Sequence, residues 1–309
     1  GLASPRGGLG PAGGSGIAVS LWWTAIGLAA ALTTAGACGA LRERHPRLAL
    51  ALAVGSTAWP MLVPAGALFG RGLVAVFSLM ALFKWIQWGP GPSGHSTAFR
   101  IWHFTAVFDG RRVRWGAPAF DGATGLRALA HGAVFAACCG ALRDARPGPG
   151  LDQLSLEAAA WGVVAPVALV GGITEAIRWA HRLAGARIPR IQLAPWKSAS
   201  IREFWGRRWN RTVSSWLREV VFFPCARSGR PSLGRWLAFA LSGAIHAYIV
   251  VFPLGLKDAA TMTAFFVVQA PLCELDIRLP AGRRPFAWLA LVGSSPLFVH
   301  PFLRILIPP

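Results

Sequence analysis

Asparagine is almost missing from this chain: one residue, Asn210, in 309. Charge is scarce as well, at 14% of residues, and one-sided, with 31 basic against 12 acidic side chains and a formal charge of +19. The basic residues are 28 Arg and three Lys. The five cysteines form no CxxC pair and no metal spacing. HExxH, a Walker A loop and a GxGxxG turn opening a βαβ unit are all missing. These gaps argue against a metal site and against the common nucleotide-binding folds, and no metal or resident cofactor is expected.

What the chain has is apolar length. It is 54% hydrophobic, and its mean hydropathy is +0.48. Apolar runs of about twenty residues recur, long enough to cross a hydrocarbon core of ~30 Å at 1.5 Å per residue. The expected class is all-α, a multi-span transmembrane helical protein. Eight spans are predicted, at 17–41, 47–68, 72–88, 124–142, 156–178, 236–256, 259–279 and 286–307. Pro60, Pro64, Pro166 and Pro296 fall inside them, which neighbouring helices can accommodate. Residues 1–16 are Gly-rich and read as a flexible tail without a cleavable signal pattern. Residues 17–309 read as a single integral-membrane domain.

The positive charge lies between the apolar runs, where the cytoplasmic loops of membrane proteins collect it. No nucleic-acid partner is expected. With the first connection (Arg42, Arg44, Arg47) inside and strict alternation, 24 basic residues fall on the cytoplasmic side and six outside. Both termini then face outward. The alternation requires that 212–224 does not cross; it is short, holds Arg218 and Glu219, and reads as an interfacial or re-entrant helix. The Arg excess, with abundant Ala and Gly, reads as GC-rich coding and points to a bacterial inner (cell) membrane.

Ionisable groups at membrane depth are functional candidates by default. His246 lies ten residues past Trp236, about 15 Å along a helix at 1.5 Å per residue. Ser242 and Gly243 share its face. The serine offers a hydrogen bond to the imidazole and the glycine offers room beside it. A neutral histidine bridging two helices is the structural alternative. His131 and His300 are the rival histidines within spans. His45, His95, His103 and His181 fall in connections and are expected to be solvated. Glu274 and Asp276 are expected to pair locally with Arg278, and Glu157 and Glu175 to sit at helix ends. His103 and Asp109 resemble the histidine–aspartate pattern of soluble acyltransferases, but five residues separate them instead of four, and that reading is rejected.

The segment Ile201–Asn210, "IREFWGRRWN", concentrates polar and aromatic residues in an otherwise aliphatic chain. "SASIREFWGRRWNRTVSSWLREVVFFP" followed by "FALSGAIHAYI" resembles the wax synthase-like branch of the membrane-bound O-acyltransferases. Phe204, Trp205, Trp209 and Asn210 match that branch's Phe-Trp-x-x-x-Trp-Asn/His element. Ser242, Gly243 and His246 match its Ser-Gly-x-x-His helix. "FFVVQAPLCELD" is similar to the helix that follows. The resemblance covers about 198–276. One position departs: many members carry an acidic residue directly after the histidine, and here Ala247 stands there, which leaves open what orients the imidazole.

The resemblance implies esterification, with a fatty acyl group moving from acyl-CoA, a co-substrate, to a lipid or other hydrophobic alcohol within membrane lipid. His246 would serve as general base, and Asn210 as oxyanion donor or positioning group. Phe204, Trp205 and Trp209 would line the mouth of the chamber. Arg207, Arg208 and Arg211 would meet CoA phosphates or, equally, anionic headgroups. The alternative class is a non-enzymatic multi-span protein such as a transporter or assembly scaffold. No internal repeat of the kind transporters carry is visible.

Overall fold

The computed structural model describes residues 13–89, 94–144, 150–279 and 283–307. Of the expected tail, residues 1–12 lie outside the described residues, and the first helix begins at Gly13. Among the described residues the structure is mainly helical, and the strands are a two-residue antiparallel pairing of Arg114–Trp115 (β1) with Ala186–Arg187 (β2). Long helices are α1 (Gly13–Leu41), α3 (Leu68–Trp88), α5 (Gly122–Asp144), α6 (Leu156–Leu183), α10 (Pro231–Leu254) and α11 (Leu256–Arg278). Shorter ones are α2 (Pro46–Gly55), α4 (Thr97–Thr105), α7 (Ile201–Glu203), α8 (Arg211–Leu217), α9 (Phe223–Arg227), α12 (Arg283–Ser294) and α13 (Pro296–Leu306).

Among the described residues six helices are long and apolar enough to cross a membrane, or seven if the bent α12–α13 pair counts as one. The molecule is an integral membrane protein. The expected second span, 47–68, is not one helix. It is α2 followed by a 3₁₀ segment, Ser56–Leu62, that contains Pro60. Proline lacks the N–H that an α-helix interior needs, and its ring clashes with the preceding turn. The broken segment still runs antiparallel to the second half of α1. Cys38 Sγ meets the Ala49 carbonyl, Trp59 Nε1 donates to Thr34 Oγ1 at 3.1 Å, and Val63 packs beside Gly27. The last expected span, 286–307, bends by 46° where Pro296 opens α13.

Chain direction alternates as the charge pattern requires. At one end Arg42 reaches the Gly89 carbonyl, Arg100 pairs with Glu43, Gly116 pairs with Gly185 and Arg235 pairs with Glu274. At the opposite end Arg71 donates to the Phe252 carbonyl and Arg304 pairs with Asp258 at 2.7 Å. The run 211–227 stays at the arginine-rich end. Trp216 Nε1 donates to the Phe83 carbonyl in the last turns of α3, and Phe222 and Cys225 pack on Gly234 at the start of α10. It does not cross.

Several polar residues sit elsewhere than expected. Glu274 pairs with Arg235 across α10 and α11, not with Arg278. Glu175 lies two turns inside α6, because that helix continues to Leu183, and it is buried between Arg127 and Arg178. His103 is not solvated but fully buried, under Trp88 and Phe104. Its Nδ1 accepts from the Gly110 N–H at 3.1 Å, and Asp109 Oδ1 is 4.0 Å away. The pair is walled off by the Lys84 ammonium and by Arg111 and Arg112, which bind Asp109. Apolar clusters tie the long helices together. Cys138 and Leu142 of α5 meet Ala158 of α6 and Val299 and Leu303 of α13, and Val250 of α10 meets Met262, Phe265 and Phe266 of α11.

Candidate active site

The polar-aromatic segment is folded by its own side chains. Ser200 caps α7 by accepting from the Glu203 N–H, while Glu203 accepts from the Ala199 N–H at 2.7 Å. Such reciprocal bonds satisfy amides that a helix start leaves open. The Ala199 bond, with Arg208 alongside, holds the Glu203 carboxyl below the usual carboxylate range against the opposing pull of burial. The chain then makes a π-helical turn, Phe204–Arg208, closed by Trp209 N–H to the Phe204 carbonyl at 2.8 Å. Phe204 and Trp209 stack at 5.8 Å and 8°.

Asn210 follows at φ 31°, ψ 65°, in the left-handed region. Two backbone bonds clamp it there, Leu193 N–H to the Arg208 carbonyl and Arg211 N–H to the Ile191 carbonyl. Its Oδ1 caps α8, accepting from the Val213 N–H at 3.4 Å. Asparagine is the residue besides glycine that visits this conformation most readily, and it is a strong helix cap. Local structure therefore gives the lone asparagine a reason of its own. With Oδ1 on the backbone, Nδ2 is the amide's donating end.

His246 lies on α10, which begins at Pro231, five residues before the expected start. Its Nδ1 meets the Ser242 carbonyl at 2.8 Å. The serine contact is thus through the backbone and not through the hydroxyl. A ring nitrogen facing a carbonyl carries the proton, which leaves Nε2 as the lone-pair end. The ring lies on Phe266 at 4.2 Å. Gly243 does not make room for the imidazole. A Cβ there would fall 3.2 Å from Thr263 Cγ2 and 3.4 Å from the Thr263 carbonyl oxygen, so this glycine sets the close approach of α10 and α11.

Two cavities meet at these residues. One, of about 580 Å³, is apolar, walled by Val134, Val163, Val167, Phe265, Leu291 and Phe298 among others. The other, of about 620 Å³, is bordered by Arg202, Arg207, Arg218 and Arg235. Trp205, Trp209, Asn210, His246 and Phe266 border both. Phe204 borders the apolar cavity, and Ser242 and Arg207 the arginine-lined one. Arg208 borders neither; it binds Glu203 at 2.7 Å and the Leu193 carbonyl at 3.0 Å. Arg211 points to the Arg190 carbonyl. The rival histidines part company. His131 borders the apolar cavity, whereas buried His300 lies 3.7 Å from Asp258 at the far end.

Sequence reasoning missed three contributors. Arg218 is half-buried on the cavity wall, and burial, with Arg112 nearby, weakens its hold on its proton. Phe266 is the floor under the imidazole. Gln269, buried in α11, accepts from Trp205 Nε1 at 3.2 Å. A single amide within the apolar run of 265–272 is a signal that was open to reading.

A membrane-embedded helical protein whose apolar and basic chambers share a histidine wall defines the class. Residues 188–268 match the membrane bound O-acyl transferase family. A probable long-chain-alcohol O-fatty-acyltransferase 2 of Arabidopsis thaliana is 30% identical over 141 residues, 40% of this chain and 41% of that protein. A probable long-chain-alcohol O-fatty-acyltransferase 8 of the same plant is 31% identical over 119 residues, 36% and 34% of the two chains. A diacylglycerol O-acyltransferase 1C of Glycine max is 32% identical over 59 residues, 19% of this chain and 11% of that one. The matches span at most about two fifths of the length of these curated relatives. Over this segment the chain is similar to the membrane bound O-acyl transferase family, and the named plant relatives agree with the resemblance to its wax synthase-like branch.

Proposed function

We propose that the protein transfers a fatty acyl group from acyl-CoA to a hydrophobic alcohol, forming an ester. The observation that carries this reading is the shared wall: His246 and Asn210 border both the arginine-lined cavity and the apolar one. A thioester with an anionic headgroup and an apolar tail needs both environments, with the reacting carbon where they meet. Arg202, Arg207 and Arg218 supply charge for the headgroup's phosphates. The apolar cavity takes the acyl tail and the alcohol.

An alcohol is a weak nucleophile until a base takes its proton as attack begins. Nε2 of His246 takes that proton while the alcohol oxygen bonds to the thioester carbonyl carbon. The carbonyl oxygen becomes an oxyanion, and Nδ2 of Asn210 is the neutral donor beside it. Such a donor contributes about 3 kcal/mol where it has been removed in other enzymes. The carbon–sulfur bond then breaks, and His246 returns the proton to sulfur, releasing CoA thiol and ester.

The names of the plant relatives favour a long-chain alcohol as acceptor. The Arg-over-Lys composition is the support for a bacterial cell membrane; the relatives named are plant proteins and add nothing to it. The test is direct. Purified protein given acyl-CoA and a long-chain alcohol should release thiol only when both are present, with the ester identified by mass spectrometry. Binding of both without thiol release would favour a transporter or scaffold.

A further inference from the structure

Trp205 borders both cavities and is held by more than packing. It meets Phe239, Phe265 and Phe266 at ring distances of 6.1, 5.9 and 5.7 Å. Its indole N–H donates to Gln269 Oε1 at 3.2 Å. Gln269 Nε2 donates in turn to Ser294 Oγ at 2.8 Å, and that hydroxyl donates to the Ala290 carbonyl at 2.7 Å. Gln269 is fully buried within a membrane-spanning helix. An amide there is costly unless both ends are bonded, and here both are. The line of bonds ends at the bend between α12 and α13, where Leu291, Val292, Ser295 and Phe298 border the apolar cavity.

We propose that Gln269 is a positioning residue that locks Trp205 as a partition between the arginine-lined chamber and the apolar chamber, so that the acyl group passes to alcohol and not to water. The inference rests on the acyl-transfer reading above. The competing reaction is hydrolysis. A water oxygen bonds to the thioester carbonyl carbon, the carbon–sulfur bond breaks, and one water proton ends on sulfur, giving fatty acid and CoA thiol. His246 would serve water as readily as alcohol, so the selection lies in what reaches it. Excluding water is a recognised means of suppressing such side reactions. An indole packed only by rings can tilt; one tied at Nε1 to a doubly bonded amide is fixed in plane.

The experiment measures fatty acid and ester made by the purified full chain from acyl-CoA and a long-chain alcohol. Gln269→Met keeps length and loses both bonds, and Trp205→Phe keeps a ring and loses the N–H. Each should raise the ratio of fatty acid to ester by about tenfold, the scale of one orphaned buried hydrogen bond. Ser294→Ala should raise it less. The double variant Gln269→Met/Trp205→Phe should exceed neither single, because both break one link. An unchanged ratio with a lowered melting temperature would make Gln269 simple interhelical glue and overturn the inference, as would a multiplying double variant. If Gln269→Met fails to insert, Trp205→Phe carries the measurement. Wild-type protein that makes no ester would overturn the acyl-transfer reading, and this inference with it.

Discussion

The imidazole of His246 is oriented by the carbonyl of Ser242, one helical turn earlier and 2.8 Å from Nδ1. No carboxylate takes part in that contact, although an acidic residue after the histidine would have been the expected partner. Ala247 stands at that position and packs in the cluster of Val250, Phe265 and Phe266. The helix backbone thus supplies the orientation, and the ring face is fixed by Phe266 at 4.2 Å. His246 borders both cavities.

Asn210 has a backbone role as an α8 cap and, in the proposed mechanism, a chemical one, and substitutions separate them. Glycine keeps the left-handed conformation and costs only a few tenths of a kcal/mol as a cap. Asn210→Gly should therefore melt within a few degrees of wild type while turnover falls by about 10²-fold, the loss of one oxyanion donor. Asn210→Asp keeps both cap and conformation but brings a charge of the wrong sign, and should be at least as slow. Wild-type turnover in Asn210→Gly would reduce Asn210 to a conformational role.

Gly243→Val tests the helix contact. Its Cβ alone would sit 3.2 Å from Thr263 Cγ2, and the added methyls have no space. Overpacking of this kind costs about 1–3 kcal/mol. Thermal unfolding in detergent should shift down for valine and much less for alanine. Equal melting temperatures for valine and wild type would mean that α10 and α11 are not in this contact.

His103 predicts a pH effect on stability. Burial first, then the Lys84 charge, pushes its pKa down to about 3, with Arg111 and His95 adding and Asp109 opposing. The unfolded chain, with an ordinary value near 6.5, binds the proton more readily. Stability from this group is therefore complete above about pH 6.5 and is lost as pH falls toward 3. His103→Gln should flatten the melting temperature across pH 6.5 to 4 relative to wild type. An unchanged slope in the variant would place the effect on other groups.

Membrane orientation follows from the charge pattern and can be read by labelling. In a chain freed of its native cysteines, a cysteine at exposed Ser228 should react with an impermeant reagent only from the cytoplasmic side. One at exposed Leu151 should react only from outside. Labelling of both from one face would refute the alternation.

The class of fold was legible because long uncharged runs have one outcome in a membrane, and linked motifs pointed to Asn210 and His246, which border the same two cavities. The broken passage at 56–62 was not. Hydropathy sees apolar length, whereas Pro60 acts on backbone hydrogen bonds. His103 was misplaced because a connection in sequence was assumed to be wet, while α4 packs on Gly39 of α1, where a Cβ would press on the Arg100 carbonyl. Arg208 was misassigned because adjacent arginines look alike in sequence, and only the π-helical turn turns one to the cavity and the other to Glu203. Ser242 and Gly243 were on the correct face, yet they act through a carbonyl and through helix proximity.

The central claim, that His246 is the base for acyl transfer to an alcohol, is tested most directly by one comparison. Alcohol-dependent thiol release from acyl-CoA would be measured for purified wild type, His246→Ala, His131→Ala and His300→Ala, each checked for normal insertion and melting. The account predicts that His246→Ala alone falls to background, while His131→Ala and His300→Ala stay within about tenfold of wild type, short of the 10²–10⁴-fold that general base catalysis contributes. Full turnover in His246→Ala, with loss in either of the others, would contradict it.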